Sequence, residues 1–486
     1  MRKKQTLLLS ALCAWSLQWA QADALSYEQA ESHYLEMGHA GKASAALQQA
    51  SELQAQAVKH LGMPRVDLNV RAYKLHAENE VPLDGIKRHL TDTIHDNIGK
   101  RVDQLQSDLG IPPVVAEGLE DAATQAVDEG IATIPDQTEV RVDDSRVSSS
   151  LSMTWPIYTG GIIHSTQKIA QINADKASLS LEQQLDMERL ELVQMYFGMQ
   201  LNQQLTQVAA ANLAGMQQHV KNALALERQG FISKGQRMQF EVARNTSERL
   251  YNNSKVALQN SRFELLNALQ SRDNVSLSTP LFVNTERHRT IDTWLQSYPD
   301  GSRLLQKTQL DTDIAKQNIT IQKAAFKPKV FAFGEYALDA DKKWIVGLGL
   351  SYNLISGLDR RKSTQAAEST YLAAQLSKER VQQEIEKTIF KAYSEMEVSQ
   401  QNHTLLKENM LAAIENRRIQ TISFREDSGT ATQVIDAQNM VASLKAEQAL
   451  NAYKYIMALA VLLNSTGNMG QFKQYTQAKH TDYIHD

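Results

Sequence analysis

The chain is 486 residues long and holds a single cysteine, Cys13, and nine prolines. Cys13 lies in the N-terminal leader, so the remainder has no disulfide, no thiol nucleophile and no thiolate metal site. No proline occurs in residues 157–279 or 329–486, which leaves two stretches free to form very long helices. Beyond the leader no window reaches the ~18 consecutive apolar residues of a membrane helix. A membrane-spanning form of this chain would therefore have to use strands in a closed barrel. There is no excess of positive charge either: without the three cations Arg2, Lys3 and Lys4 the formal charge is −7, which opposes binding to phosphate backbones. The 12 histidines are scattered, and the metalloprotease, serine-hydrolase and nucleotide-loop motifs are missing, so nothing argues for an enzyme, a cofactor or a metal site.

Arg2-Lys3-Lys4, the apolar run Leu7 to Leu17 and Ala20-Gln21-Ala22 together read as a secretory signal over residues 1–22. Its apolar run is too short for a membrane anchor. Leu12 before the cysteine does not suit a lipoprotein signal.

The strongest internal feature is a repeat at an offset of 197 residues. Trp155-Pro156-Ile157-Tyr158-Thr159-Gly160 aligns with Tyr352-Asn353-Leu354-Ile355-Ser356-Gly357. The same offset places Ser233-Lys234-Gly235-Gln236 on Thr430-Ala431-Thr432-Gln433. Both are S/T-x-x-Q capping boxes, so Ser233 and Thr430 each mark a helix start. Upstream, Pro64-Arg65-Val66 resembles Pro328-Lys329-Val330 at an offset of 264, which assigns the first half an insertion of 67 residues.

Short alternating runs mark four strands. Val66, Leu68 and Val70 alternate with Asp67, Asn69 and Arg71; Val147, Leu151, Met153 and Trp155 alternate with serines and Thr154. Trp344, Val346, Leu348, Leu350 and Tyr352 alternate with Gly347, Gly349 and Ser351. Val330 to Leu338 is less regular, because Phe331 and Phe333 share a face with Glu335. Four strands are too few for a sandwich of the usual size, which leaves a barrel shared between chains or a small soluble sheet. Trp155, Tyr158, Trp344 and Tyr352 sit towards strand ends, where a membrane aromatic belt would put them. Gly347 and Gly349 read as small lumen-facing positions.

The segment from Gly161 to Gly230 spells roughly 100 Å of helix at 1.5 Å per residue. Ala442, Ala446, Ala449, Tyr453, Ile456, Ala460 and Leu463 form a 4-3-4-3 seam, and Ile385, Ile389, Ala392 and Met396 form a similar one, so an antiparallel hairpin through the Thr430 cap is expected to pack the two. Within the insertion, Ile86, Leu90, Ile94, Ile98, Val102, Leu105 and Leu109 recur at helical spacing.

With the repeat, strand pairs and hairpins together, the chain resembles the TolC-type outer-membrane efflux proteins. The carrying pieces are Leu25-Ser26-Tyr27-Glu28-Gln29-Ala30, the strand-exit motif with Pro156, Gly160 and Gly161 and its repeat at Gly357, and Phe424 to Thr430 leading to Val434-Ile435-Asp436-Ala437-Gln438. The resemblance implies a mainly α fold with a small β part: a homotrimer sharing one twelve-stranded transmembrane barrel, continued by a periplasmic α-helical barrel. It also implies a passive exit duct in the outer membrane, joined through a periplasmic adaptor to an inner-membrane transporter for efflux or type I secretion.

The implied divisions are N-terminal periplasmic helices over 23–63, strand 1 over 64–78, an extracellular insertion over 79–143 and strand 2 over 144–157. A helix hairpin over 158–279, periplasmic helices over 280–327, strands 3 and 4 over 328–354, a second hairpin over 355–465 and a tail over 466–486 follow. An acidic ring at the closed periplasmic mouth would rest on Asp436, with Asp427 or Glu426. The sequence departs from the family pattern at Asn353, where proline is usual, at Asp427, where glycine is usual, and at Gln433, where an acid is common. The competing class is a periplasmic coiled-coil adaptor or scaffold without a barrel, for which no flanking compact β-rich block is found.

Overall fold

The structure, a computed structural model, describes residues 24–484 apart from 78–80, 83, 110–111, 135–136, 139–141, 273–274, 287–288, 340–341, 355–356 and 427. The expected signal over 1–22 and the candidate Asp427 lie outside the described residues. The described residues are about three-quarters helical, with a small strand part. It opens with helices α1 (Tyr27–Met37) and α2 (His39–Val58), strand β1 (Arg65–Ala77), the short β2 (Val81–Pro82), helices α3 (Asp84–Leu109) and α4 (Pro113–Ala132), the short β3 (Gln137–Thr138) and strand β4 (Val142–Tyr158). Helices α5 (Ile162–Arg228) and α6 (Lys234–Ala268) follow, then β5 (Phe282–Asn284), α7 (Ile291–Gly301), α8 (Arg303–Ala324), β6 (Lys329–Ala337) and β7 (Trp344–Ser351). The last part is α9 (Arg360–Arg425), α10 (Ala431–Ser465), α11 (Phe472–Tyr475) and β8 (Thr481–Tyr483).

The duplication is visible element by element. Helix α5 has 67 residues and α9 has 66, while α6 and α10 have 35 each. Both capping boxes form: the Ser233 hydroxyl accepts from the Gln236 amide at 3.2 Å and the Thr430 hydroxyl from the Gln433 amide at 3.3 Å. Each glutamine side chain in turn accepts from its cap residue's own amide at 2.8 Å. Two of the first-turn amides that a helix leaves unpaired are thereby satisfied at each start.

The chain divides into two compact units. One comprises residues up to Lys42, Glu182–Arg303 and Gln383 onwards. Its centre is an aromatic cluster in which Tyr27 meets Tyr196, Phe197 and Phe472 with ring centroids 5.6, 5.6 and 5.1 Å apart. Phe282 joins through Phe197 and Tyr455. Strand β5 pairs antiparallel with β8, so the 280–327 segment begins with a strand that the chain's own tail completes. Neither strand was anticipated, because three residues are too few to show a period.

In the same unit, Ile385, Ile389, Ala392 and Met396 of α9 are all buried, as their seam predicts. On α10 four of the seven expected seam residues, Ala449, Ile456, Ala460 and Leu463, are buried, while Ala442, Ala446 and Tyr453 are half-buried. Val441 and Leu444 pack with Leu406, Met410 and Ala413 of α9, and the Asn451 side-chain amide donates to the Ser399 carbonyl at 2.8 Å. Ala442 and Ala446 instead line a groove of about 590 Å³ between α5, α6 and α10. Small residues allow close approach but supply little apolar area, so the larger Val and Leu side chains decide which face meets α9.

The second unit comprises Ala43–Leu181 and Leu304–Gln382. Its sheet is antiparallel in the order β1-β4-β6-β7, so the four strands found in the sequence pair in one sheet with β1 and β7 at its edges. The insertion holds two helices where periodicity showed one. Helix α4 begins at Pro112-Pro113, with proline in its first turn where a missing N–H costs nothing. It is rich in Ala and Gly, which hid its stripe.

Candidate functional site

The residues singled out in the sequence fall in two regions, the sheet and the hairpin turns. The register places Val66 opposite Met153, Leu68 opposite Leu151, Ala332 opposite both Trp155 and Leu348, and Val330 opposite Leu350. One face is therefore apolar across all four strands, and it is open: Val66, Leu68, Val70, Val147, Val346, Leu348 and Leu350 are each more than 60% exposed. A soluble monomer rarely leaves so broad an apolar face uncovered. Tyr336 pairs with Trp344 at one end of this face, and Trp155 and Tyr158 stand at the other, about 20 Å away along β6 at ~3.3 Å per residue. The indole of Trp155 donates to the Gly62 carbonyl at 3.0 Å, which fixes its ring at that end.

The opposite face carries Asp67, Asn69, Ser148, Ser150, Ser152, Thr154, Lys329, Glu335 and Ser351, with Phe331 and Phe333 among them. Glu335, the residue that spoiled the strand pattern, accepts from the Ser150 hydroxyl at 2.6 Å. The rings of Phe331 and Phe333 lie over Gly349 and Gly347 of the neighbouring strand; a Cβ on Gly347 would stand 2.7 Å from Phe333 Cζ. The two glycines are therefore seats for the phenyl rings, a reason invisible in β7's own sequence.

At the strand exit, Gly160 and Gly161 have φ of +70° and +108°, a backbone that side chains rarely adopt. A Cβ at Gly160 would in addition come within 2.7 Å of the Ala324 carbonyl. Pro156 sits at a register irregularity of the β4–β6 ladder, beyond the last residue of β4 that pairs with β1, so its missing N–H breaks no central ladder. Gly357 is different, since an added Cβ there meets nothing within 4 Å. The second exit relies instead on Asp359, whose carboxylate accepts from the amides of Arg361 and Lys362 at 3.0 and 3.2 Å. Arg360 donates to the Asn353 carbonyl and stacks over Phe326 at 5.1 Å, replacing the proline constraint lacking at Asn353. An Asp one residue before a charged helix start was the available signal for that cap.

At the turns, Gly230 with φ +80° ends α5, and the Phe231 amide donates to the Leu226 carbonyl at 3.0 Å, a Schellman bond. Its counterpart runs from the Ser428 amide to the Ser423 carbonyl at 2.9 Å. Between the turns, Ala223, Ile232, Phe240, Phe424, Ala431 and Val434 form one core, with Phe240 and Phe424 edge to face at 5.3 Å. His219 stacks on Phe240 at 5.7 Å. Burial, reinforced by the cations Arg425 and Arg417, holds its pKa below the ordinary histidine value. Arg237 of α6 forms ion pairs with Glu227 of α5 and Glu241, tying the two helices together at the turn.

Asp436 lies on the exposed side of α10, six residues beyond the Thr430 cap, and makes no ion pair among the described residues. Glu426 is likewise exposed, with its amide bonded to the Ile422 carbonyl at 3.1 Å. Among the described residues no group of three His, Cys, Asp or Glu side chains is placed to hold a metal ion, and no helix is long and apolar enough to cross a membrane.

Residues 294–468 match the outer membrane efflux protein family. No curated protein matches the sequence. Solved structures do match in fold. The outer membrane protein VceC of Vibrio cholerae is 11% identical, with a TM-score of 0.71 over 91% of this chain and 96% of its own. The Campylobacter jejuni CmeC outer membrane channel is 10% identical, with a TM-score of 0.69 over 93% and 89%. The open state of the Neisseria gonorrhoeae MtrE outer membrane channel is 14% identical, with a TM-score of 0.65 over 91% and 89%. By fold over more than nine tenths of its length, and by sequence over residues 294–468, the chain is similar to the outer membrane efflux proteins.

Proposed function

We propose that the protein is a passive exit duct of the outer membrane, a homotrimer in which each chain supplies β1, β4, β6 and β7 to one twelve-stranded barrel. The observation that carries this is the four-stranded sheet with an open apolar face, aromatic residues at both ends of that face, and unpaired edges at β1 and β7. A sheet in lipid must have no free edge, and four strands cannot close a cylinder by themselves. Three copies joined edge to edge satisfy both demands. The long helices continue the duct into the periplasm, where the hairpin turns are the part presented to an adaptor and an inner-membrane transporter in efflux or type I secretion. At those turns three copies of Asp436 form an acidic ring at the closed periplasmic mouth, where their like charges repel one another and recruit cations. No bond is made or broken in this function.

Membrane fractionation, non-denaturing mass in detergent and planar-bilayer recording test the reading together. Extraction by detergent alone, a trimeric mass and discrete channels are expected. Release by salt or alkali, or a monomeric mass, would refute it.

A further inference from the structure

Helices α5, α6 and α10 do not close fully on one another; the groove of about 590 Å³ between them has three walls, one from each helix. Ile435, Asn439, Ala442 and Ala446 of α10 recur at spacings of three and four residues, so they share one face and form the first wall. From Ile435 to Ala446 this wall runs about 16 Å at ~1.5 Å per residue. Val208 and Asn212 of α5 and Val242 and Leu250 of α6 belong to the other two. Ala442 and Ala446 are too small to fill the space, while the opposite side of α10 spends Val441 and Leu444 on α9.

Contacts within the chain stop the groove at both ends. Towards the turns Gln438 of α10 lies against Gly215 of α5, where a Cβ would stand 2.8 Å from its amide nitrogen, and the core of Phe240 and Val434 follows. At the other end the Thr206 hydroxyl donates to the Ser254 carbonyl at 3.1 Å and ties α5 to α6. Asn212 and Ser247 form the floor, at 7% and 4% exposure. The Asn212 amide group commits both its protons, to the Ser247 hydroxyl at 3.3 Å and to the Asn439 side-chain carbonyl at 3.2 Å. Its Oδ1 is buried and accepts no hydrogen bond among the described residues. A buried acceptor left unpaired costs free energy that an incoming donor recovers. No residue lining the groove carries a charge.

We infer that this groove is a binding site for a neutral, amphipathic small molecule: an apolar body carrying an N–H or O–H donor. The body lies against Val208, Val242 and Ile435, and the donor goes to Asn212 Oδ1. The volume is that of a drug-sized site, ~300–1,000 Å³. A charged ligand would lose its hydration here and find no partner charge. A partner's helix fits poorly, because its backbone donors are already used within the helix and the stopped ends do not admit a rod. The occupant touches both α5 and α6 of the first hairpin and α10 of the second, so binding bridges the two halves of the duplication. All three walls lie in one chain and in one of its compact units, so the site needs neither the trimer nor the barrel proposed above, and its failure would leave that reading untouched.

Photolabelling of the full-length protein in lipid nanodiscs tests the site. The probes are para-benzoylbenzamide, a neutral benzophenone with a primary amide, and its N,N-dimethyl analogue, which has the same body without the N–H donor. Irradiation attaches a bound probe to neighbouring C–H groups, and peptide mass spectrometry locates it. Saturable labelling within 205–212, 242–250 and 435–446 is expected, at about tenfold lower concentration for the primary amide than for the analogue. Asn212→Leu should abolish that difference by weakening the primary amide alone. Ala446→Phe, which places a ring in the groove, should remove labelling by both probes. Labelling that does not saturate or is scattered along the chain, equal labelling of the parent by the two probes, or parent-like labelling of the Ala446→Phe variant would each overturn the site. If Ala446→Phe does not fold, the two probes on the parent and on Asn212→Leu decide.

Discussion

Gly349→Ala is the smallest perturbation with a calculable consequence. The added Cβ would stand 2.9 Å from Phe331 Cε1 and closer still to Cζ and Cε2, well inside van der Waals contact. Phe331 is 3% exposed on the covered face of the sheet, so its ring has no open side to swing into. Overpacking of this kind costs about 1–3 kcal/mol. Gly349 lies in extended strand, so no backbone strain accompanies the change, and alanine alone would favour the folded strand by about 0.5–1 kcal/mol over glycine. The predicted sign is thus set by Phe331, and a double-mutant cycle isolates it. Phe331→Ala should cost about 3–5 kcal/mol through the cavity it leaves. In that background Gly349→Ala should cost nothing or stabilise, giving a coupling of about 1–3 kcal/mol between the two sites. The assay is the unfolding midpoint of the detergent-solubilised protein in urea, for the parent, both single variants and the double. Equal costs for Gly349→Ala with and without Phe331 would refute the account of this glycine as a seat for the ring.

Four further outcomes are expected. Thr430→Ala should cost about 1 kcal/mol locally by removing a cap, seen as faster hydrogen exchange of the Gln433 amide with α6 unaffected. Asp436→Ala should change single-channel conductance or its block by multivalent cations; if neither moves in planar bilayers, the carboxylate has no part in the closed mouth. Burial opposes ionisation of Asp482, but the hydrogen bonds from His403 at 2.9 Å and Lys407 at 2.7 Å outweigh it and hold the carboxyl below its ordinary value. The stability this contributes is present above the ordinary carboxylate range and is lost as pH falls through the lowered value. Proteolysis of the tail should therefore increase in strong acid, and Asp482→Asn should show the same increase at neutral pH. His219, whose pKa is lowered by burial and by Arg425 and Arg417, contributes stability above the ordinary histidine value that is lost on acidification. Protection from hydrogen exchange around Phe240 and Phe424, relative to the intrinsic rate at each pH, should fall as pH drops through the lowered His219 value, and His219→Gln should remove that dependence.

Most of the architecture was legible in the sequence because it is written in local terms. Two capping boxes 197 residues apart set the starts of α6 and α10, since a hydroxyl and a glutamine three residues on satisfy amides of their own turn. Proline-free stretches allowed α5 and α9, and the two-residue alternation marked segments that form β1, β4 and β7. Periodicity also showed that one face of the sheet is apolar. It could not show what covers the other face, because a pattern reports which side chains share a face and not which distant segment meets it. Tertiary structure alone decided that Val441 and Leu444, and not Ala442 and Ala446, turn towards α9. It alone seated Phe331 over Gly349, a match between two strands with no counterpart in either one's sequence. It alone laid α3–α4 back along the polar face, where the decisive partners are Gly118 with Lys329 and Gln125 with Ser351, each pair separated by more than 200 residues.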